Sequence, residues 1–182
     1  NVVTSWNGQS YGYGMDFNNK VTSKAIWTSG SIGQFGLSWR RAPGFFDVVH
    51  WTGTGGQLAV NHNLGVVPEM MWTKCLGDTS GSAYDWGVYH KDVNGGTDPE
   101  DYYLELNDNS TPADSITYWW DTAPTATQFT VGSAAATNNP EGMIAFLFAT
   151  LAGISKVGSF SHTSGSGDTN VDCGFSSGAS LV

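Results

Sequence analysis

Four histidines, two cysteines and a scatter of carboxylates are the residues of this chain with the capacity for chemistry. A metal centre needs ligands at set spacings, and a hydrolytic site needs a nucleophile beside its base. None of His50, His62, His90 and His162 has a second ligand-type residue at an HxxxH-like spacing. His62 and His90 fall on strand faces and read as half-buried, hydrogen-bonded histidines. No GxSxG elbow is present. Cys75 and Cys173, 98 positions apart, make no metal or redox motif. They read as two small buried thiols, with one bridge between them left open. The glycine-rich "GTGG" at 53–56 is not followed by a helical pattern, so it does not read as a phosphate cradle.

Carboxylates gather at Glu100, Asp101, Glu105, Asp114 and Asp121. A glycosidase would need two of them facing across a groove, and acidic surface solvation is the simpler account. The loop "DVNGGTDPED" at 92–101 offers oxygen donors in Asp92, Asn94, Asp98 and Asp101, and its glycines permit a tight wrap, which makes it a candidate calcium loop. Its spacing departs from the EF-hand pattern, and an ordinary hairpin loop is the competing reading. The aromatics are more suggestive. Trp119 and Trp120 are adjacent in what reads as a strand, so they should point to opposite faces, and Tyr102-Tyr103 repeats the arrangement. Flat rings with a polar handle are what sugar- or protein-binding surfaces expose. Trp86, Tyr103, Trp119 and Trp120 are the candidate binding residues, with burial under a loop, strand or neighbouring subunit as the alternative. The expectation is no enzymatic activity, no cofactor and no metal.

The elements that would carry these residues are strands. Among 182 residues there are 24 glycines, and only 13% are charged, a composition unlike that of a disordered or a helical chain. In "GQLAVNHNLG", Leu58, Val60, His62 and Leu64 alternate with polar or small residues, the period of a half-buried strand. A strand starts at about Glu69, after Pro68. "YDWGVYHKD", "DYYLELND", "SITYWWDTAP" and "TQFTVGS" read as further strands, and "MIAFLFATLAG", apolar on both faces, as a central one. Many short strands between turn clusters predict an all-β fold, an antiparallel β-sandwich of jelly-roll type over residues 45–153. Met70, Trp72, Val88, Leu104, Phe129, Ile144, Phe146 and Phe148 are the predicted core. The net charge of −9, with no basic cluster beyond Arg40-Arg41, disfavours nucleic acid and anionic membrane surfaces. The longest apolar run, at 143–149, is too short for a membrane span. The first residue, Asn1, is read as a start inside a longer or processed chain.

"DVVHWTGTGG" near the start is echoed by "KVGSFSHTSGSG" near the end. A shift of 109 positions lays Gly44 on Gly153, Phe45 on Ile154, Val48 on Val157 and Trp51 on Phe160. Upstream, Phe35, Leu37 and Trp39 fall on Ile144, Phe146 and Phe148; with a slip of one, Met71 falls on Leu181. The chain is therefore read as a repeat of about 110 residues: 1–44 closing a previous unit or an upstream domain, 45–153 a complete unit, 154–182 the start of a further one. Residues 45–60 and 154–171 are expected to share a strand-turn-strand shape.

The runs "FDVVHWTGTGGQLAVNHNLGVVPEMMWTKC", "DWGVYHK", "WWDTAPTATQFTVGS", "AFLFATLAGISKVGSF" and "NVDCGFSSGA" together resemble a β-rich repeat domain of tail-fibre-like structural proteins of marine bacteriophages. The resemblance covers roughly residues 36–182. It implies a structural or adhesive module of a virion appendage, extracellular, plausible as a trimer. Its partners would be further subunits of the same protein, other virion proteins and a possible cell-surface glycan. The competing reading is a glycan-binding or glycan-hydrolysing module on a β-sandwich.

Overall fold

The structure, a computed structural model, describes residues 40–77, 84–162, 165 and 167–176. The echo at Phe35, Leu37, Trp39 and Leu181 lies outside them. Within the unit that runs from Trp39 to Val182 the described residues form eight strands. They are β1 (Phe46–Thr52), β2 (Leu58–Asn61), β3 (Met70–Cys75), β4 (Gly87–His90), β5 (Tyr102–Glu105), β6 (Ala113–Asp114), β7 (Gln128–Val131) and β8 (Gly142–Phe148). Single helical turns α1 (Ile116–Trp119) and α2 (Ala135–Asn138) interrupt the series. Every ladder is antiparallel: a six-stranded sheet ordered β1-β8-β3-β4-β5-β6, and a two-stranded ribbon β2-β7. The all-β antiparallel expectation holds.

β8 is paired on both sides, Phe146 lying opposite Val48 of β1 and Trp72 of β3. Its two apolar faces are therefore both used. The inner face carries Val49, Trp51, Met71, Thr73, Cys75, Tyr89, Ala145 and Leu147, alternate positions in register across the sheet. On it lie the ribbon and the helical turns, through Val60, Phe129, Val131, Tyr118, Trp119 and Ala136. Trp51 meets Phe129 edge-on at 5.7 Å. Two layers thus enclose the core, sandwich-like. The second is a short ribbon with two helical turns, smaller than the full sheet of a jelly roll.

Three sequence expectations need correction. The predicted core of Met70, Trp72, Leu104, Phe146 and Phe148 lies on the outer face and is only half-buried. Val88, Phe129 and Ile144 are buried as expected. The closed inner face mixes large residues such as Trp51, Tyr89 and Met71 with small ones, Thr73 and Gly87, where α2 presses close to the sheet. Thr73 Oγ1 donates to Ala136 O at 3.0 Å, and a Cβ on Gly87 would meet Thr137 Cγ2 at 3.1 Å. "SITYWW" is not a strand but α1, with Ser115 accepting from the Thr117 N–H as N-cap and Trp120 closing the turn at φ 58°. Finally, residues 154–171 share a turn with 45–60, but the described residues among them form no strand.

That shared turn is close in detail. Phe45 and Phe46 N–H groups donate to Ala42 O, Ala42 N–H donates to Phe46 O, and Gly44 sits at φ 72°. At the same shift of 109 positions, Ile154 and Ser155 N–H groups donate to Leu151 O, Leu151 N–H donates to Ser155 O, and Gly153 sits at φ 75°. Glycine is what permits the left-handed step in both. After the first turn β1 finds β8. After the second, the described residues of 156–176 enter no ladder.

Candidate functional site

The outer face of the large sheet is the most distinctive surface. The Phe46 and Phe148 ring centroids lie 5.1 Å apart, those of Trp72 and Phe148 4.8 Å, and Phe146 and Trp86 stack at 6.3 Å with an interplanar angle of 25°. The period of two puts these rings side by side, since alternate residues of neighbouring strands share a face. Lys74 holds its ammonium 5.7 Å from the Trp86 ring centroid, a cation–π contact at the margin of the patch. The backbone beside the Trp86 ring is anchored: the Trp86 main-chain N–H donates to Asn107 Oδ1 at 2.9 Å, and Asn107 Nδ2 donates to Asp85 Oδ1 at 2.7 Å. Phe46 is buried, while Trp72, Trp86, Phe146 and Phe148 remain partly open. The arrangement offers flat rings, one fixed cation and hydrogen-bonding neighbours.

The structure divides the four candidate binding residues instead of gathering them. Trp86 belongs to the outer face. Tyr103 is on the other side of the sheet, stacked on Tyr118 with centroids 3.6 Å apart. Trp119 is 1% exposed and packs edge-on against Tyr89 at 5.9 Å, so it is a core residue and no part of a surface platform. Its Nε1, like that of Trp51, is buried without a hydrogen-bond partner. Trp120 is half-buried at the end of α1. Phe146, Phe148 and Trp72 were read from the sequence as core. Their signal as a surface was present only as excess: β8 and β3 carry large rings on the face opposite the ribbon and α2.

Of the calcium candidates, Asp92 takes the Lys91 ammonium at 2.7 Å, and this hydrogen bond, against a smaller desolvation effect, holds its carboxyl below the ordinary range. Asn94 Nδ2 donates to Thr97 O at 2.9 Å, closing the loop on itself. Asp98 adopts φ 44° at the start of a 3₁₀ turn, Pro99–Asp101. Asp101 is held above its ordinary range, by desolvation first and then by Asp121, Asp98, Glu100 and Asp114, so these carboxylates crowd one surface. Among the described residues no group of three His, Cys, Asp or Glu side chains is placed to hold a metal ion. Cys75 is buried on the inner face, Cys173 is partly exposed, and both are free thiols.

The buried polar groups are structural. His62 Nε2–H donates to Thr125 O at 3.1 Å while Nδ1 accepts the Leu64 N–H at 3.2 Å. Both ring nitrogens are satisfied by the neutral imidazole, and burial pushes its pKa down against the opposing pull of Thr125 and Asp47. Desolvation likewise lowers the pKa of His90. Asp47, 2% exposed, accepts Arg41 Nε at 2.6 Å and the Asn63 N–H at 2.8 Å. Asn138, fully buried, accepts the Thr54 N–H at 3.0 Å and donates to Gly132 O at 2.9 Å and to Gly56 O. Sequence reading missed both Asp47 and Asn138.

A sandwich-like, all-β antiparallel domain with an aromatic sheet face is the class that fold and surface define. The family described as a domain of unknown function (DUF7483) matches residues 4–179, and the chain belongs to that family. No curated protein and no solved structure matches it.

Proposed function

We propose that this chain is a structural and adhesive module of a bacteriophage virion appendage, a repeated β-sandwich unit that spaces or presents a receptor-binding surface. The observation that carries the reading is the turn that recurs at 109 positions with the same hydrogen bonds and the same left-handed glycine. Modules strung by such a junction suit an extended fibre. The resemblance of residues 36–182 to tail-fibre-like proteins supplies the virion context, and the aromatic outer face supplies a surface for a neighbouring subunit in a trimer. The test is electron microscopy of phage particles encoding this sequence, with an antibody against the chain. Decoration of an appendage is expected; particles left bare would sink the assignment.

A second reading is favoured by the Trp86–Lys74 pair: a glycan stacked on the Trp86 ring, its hydroxyls meeting the Lys74 ammonium and Asn107. On a glycan array, Trp86→Ala should abolish any binding shown by the native chain. Binding that survives the substitution would remove Trp86 from the site.

A further inference from the structure

The segment that follows the second turn occupies the repeat position of β1, yet no strand among the described residues lies beside it. We propose that residues 155–161 are a preformed docking strand whose partner is a β8-type strand, Gly-Met-Ile-Ala-Phe-Leu-Phe in this unit, supplied by a further copy of the same domain. The inference rests on the repeat geometry, the part of the functional reading that is independent of any virion.

Four observations converge on this. The recurring turn fixes the direction in which the chain leaves, as it does for β1. Position for position, Trp51 packs edge-on against Phe129, whereas its counterpart Phe160 is 61% exposed. Ile154 is 61% exposed as well, while Val157 between them is buried. An aromatic and a branched residue held in water at repeat-matched positions are what a missing partner leaves behind. The segment is also held in place. Val157 N–H donates to Thr150 Oγ1 at 3.0 Å, and Thr150 Oγ1 in turn donates to Glu69 Oε2 at 2.5 Å.

The β1 register says which groups would dock. Ala149 N–H donates to Phe45 O, so Phe45, Asp47, Val49 and Trp51 aim their backbone at β8, while Phe46 is turned the other way, toward Ala42. Shifted by 109 positions, the backbone groups of Ile154, Lys156, Gly158 and Phe160 face the partner, and Val157 faces away, toward Thr150. A second copy's β8 already has β1 and β3 on its flanks. The available donor is therefore a copy whose β8 has not been given its own β1, as happens when units follow one another along one chain and each borrows its first strand from the junction before it.

Two measurements test this by amide hydrogen exchange. The first adds to the full chain a lysine-flanked peptide of sequence GMIAFLF, with a scrambled peptide as control. Exchange at Lys156 and Phe160 should slow by about tenfold or more with the ordered peptide alone, the protection a formed ladder gives. The second uses an extended chain in which residues 73–153 are appended after Val182, which falls on Trp72 in the repeat register once the slip of one is included. Residues 155–161 should then exchange as slowly as β1, with a second set of protected amides in the appended half. If the appended half folds while 155–161 stays unprotected, the docking strand is wrong and the repeat survives. If the appended half stays unprotected and the peptide changes nothing, both fall.

Discussion

Single side chains do much of the joining between the loops. Asn138 bonds the backbone of Thr54, Gly56 and Gly132 at once, linking residues 84 positions apart. Asn138→Ala would orphan the buried Gly132 carbonyl and release the Thr54 and Gly56 backbone, and a loss of about 2–4 kcal/mol is expected from urea unfolding. Gly132 permits a close crossing: a Cβ there would lie 2.3 Å from Thr117 O. Gly132→Ala must move backbone, and the variant should be at least as destabilised as Asn138→Ala. His62 sets a pH dependence. Its folded pKa is depressed, so the unfolded chain binds the proton more readily. Its stabilising contribution is complete above the ordinary value of about 6.5 and is lost as pH falls through the folded value. His90 acts with the same sign. The melting temperature should drop as pH is lowered below about 6.5, and His62→Gln should flatten that slope. An unchanged slope would mean that the ring is not held neutral.

At the scale of elements, alternation between turn residues located β2, β4 and β5, Pro68 marked the start of β3, and a short run apolar on both faces marked β8. Alternation failed at α1, where four residues are too few for a helical period to show. It failed also on phase. β8 and β3 are apolar on both faces, and period alone cannot say which face a second layer will cover. The large rings suggested one face; the close approach of α2 and the ribbon selected the other. Asp47 and Asn138 were illegible because their partners come from distant loops, and polar residues between turns look alike until those loops meet. The choice of face has a measurable consequence. Leu147→Ala, on the closed face, should cost about 2–5 kcal/mol, and Trp72→Ala, on the half-open face, clearly less in the isolated chain. Equal costs would show that the outer face is also closed.

On the scale of the whole molecule, the eight strands order into one sheet and one ribbon, and the family match runs across residues 4–179. The fold class was legible from composition and spacing, since a chain with 24 glycines and regular turn clusters has few other ways to bury its aromatics. A binding surface was less legible, because the candidate rings are split between two sides of a sheet that only the register defines.

Among the described strands, the sheet order places β1, the seven residues "FDVVHWT", at an edge. Such an edge is a template for pairing with any passing strand, the first step of ordered aggregation. The inward-pointing carboxylate of Asp47, kept in place by Arg41 and the Asn63 N–H, is the kind of device that protects it. A misregistered newcomer would have to accommodate a charge that only one arrangement satisfies. Asp47→Val would keep the strand's shape and take away the guard. The substituted protein should scatter light on mild heating at concentrations where the native chain stays clear, so the fidelity of assembly in this domain hangs on one buried acid at an open edge.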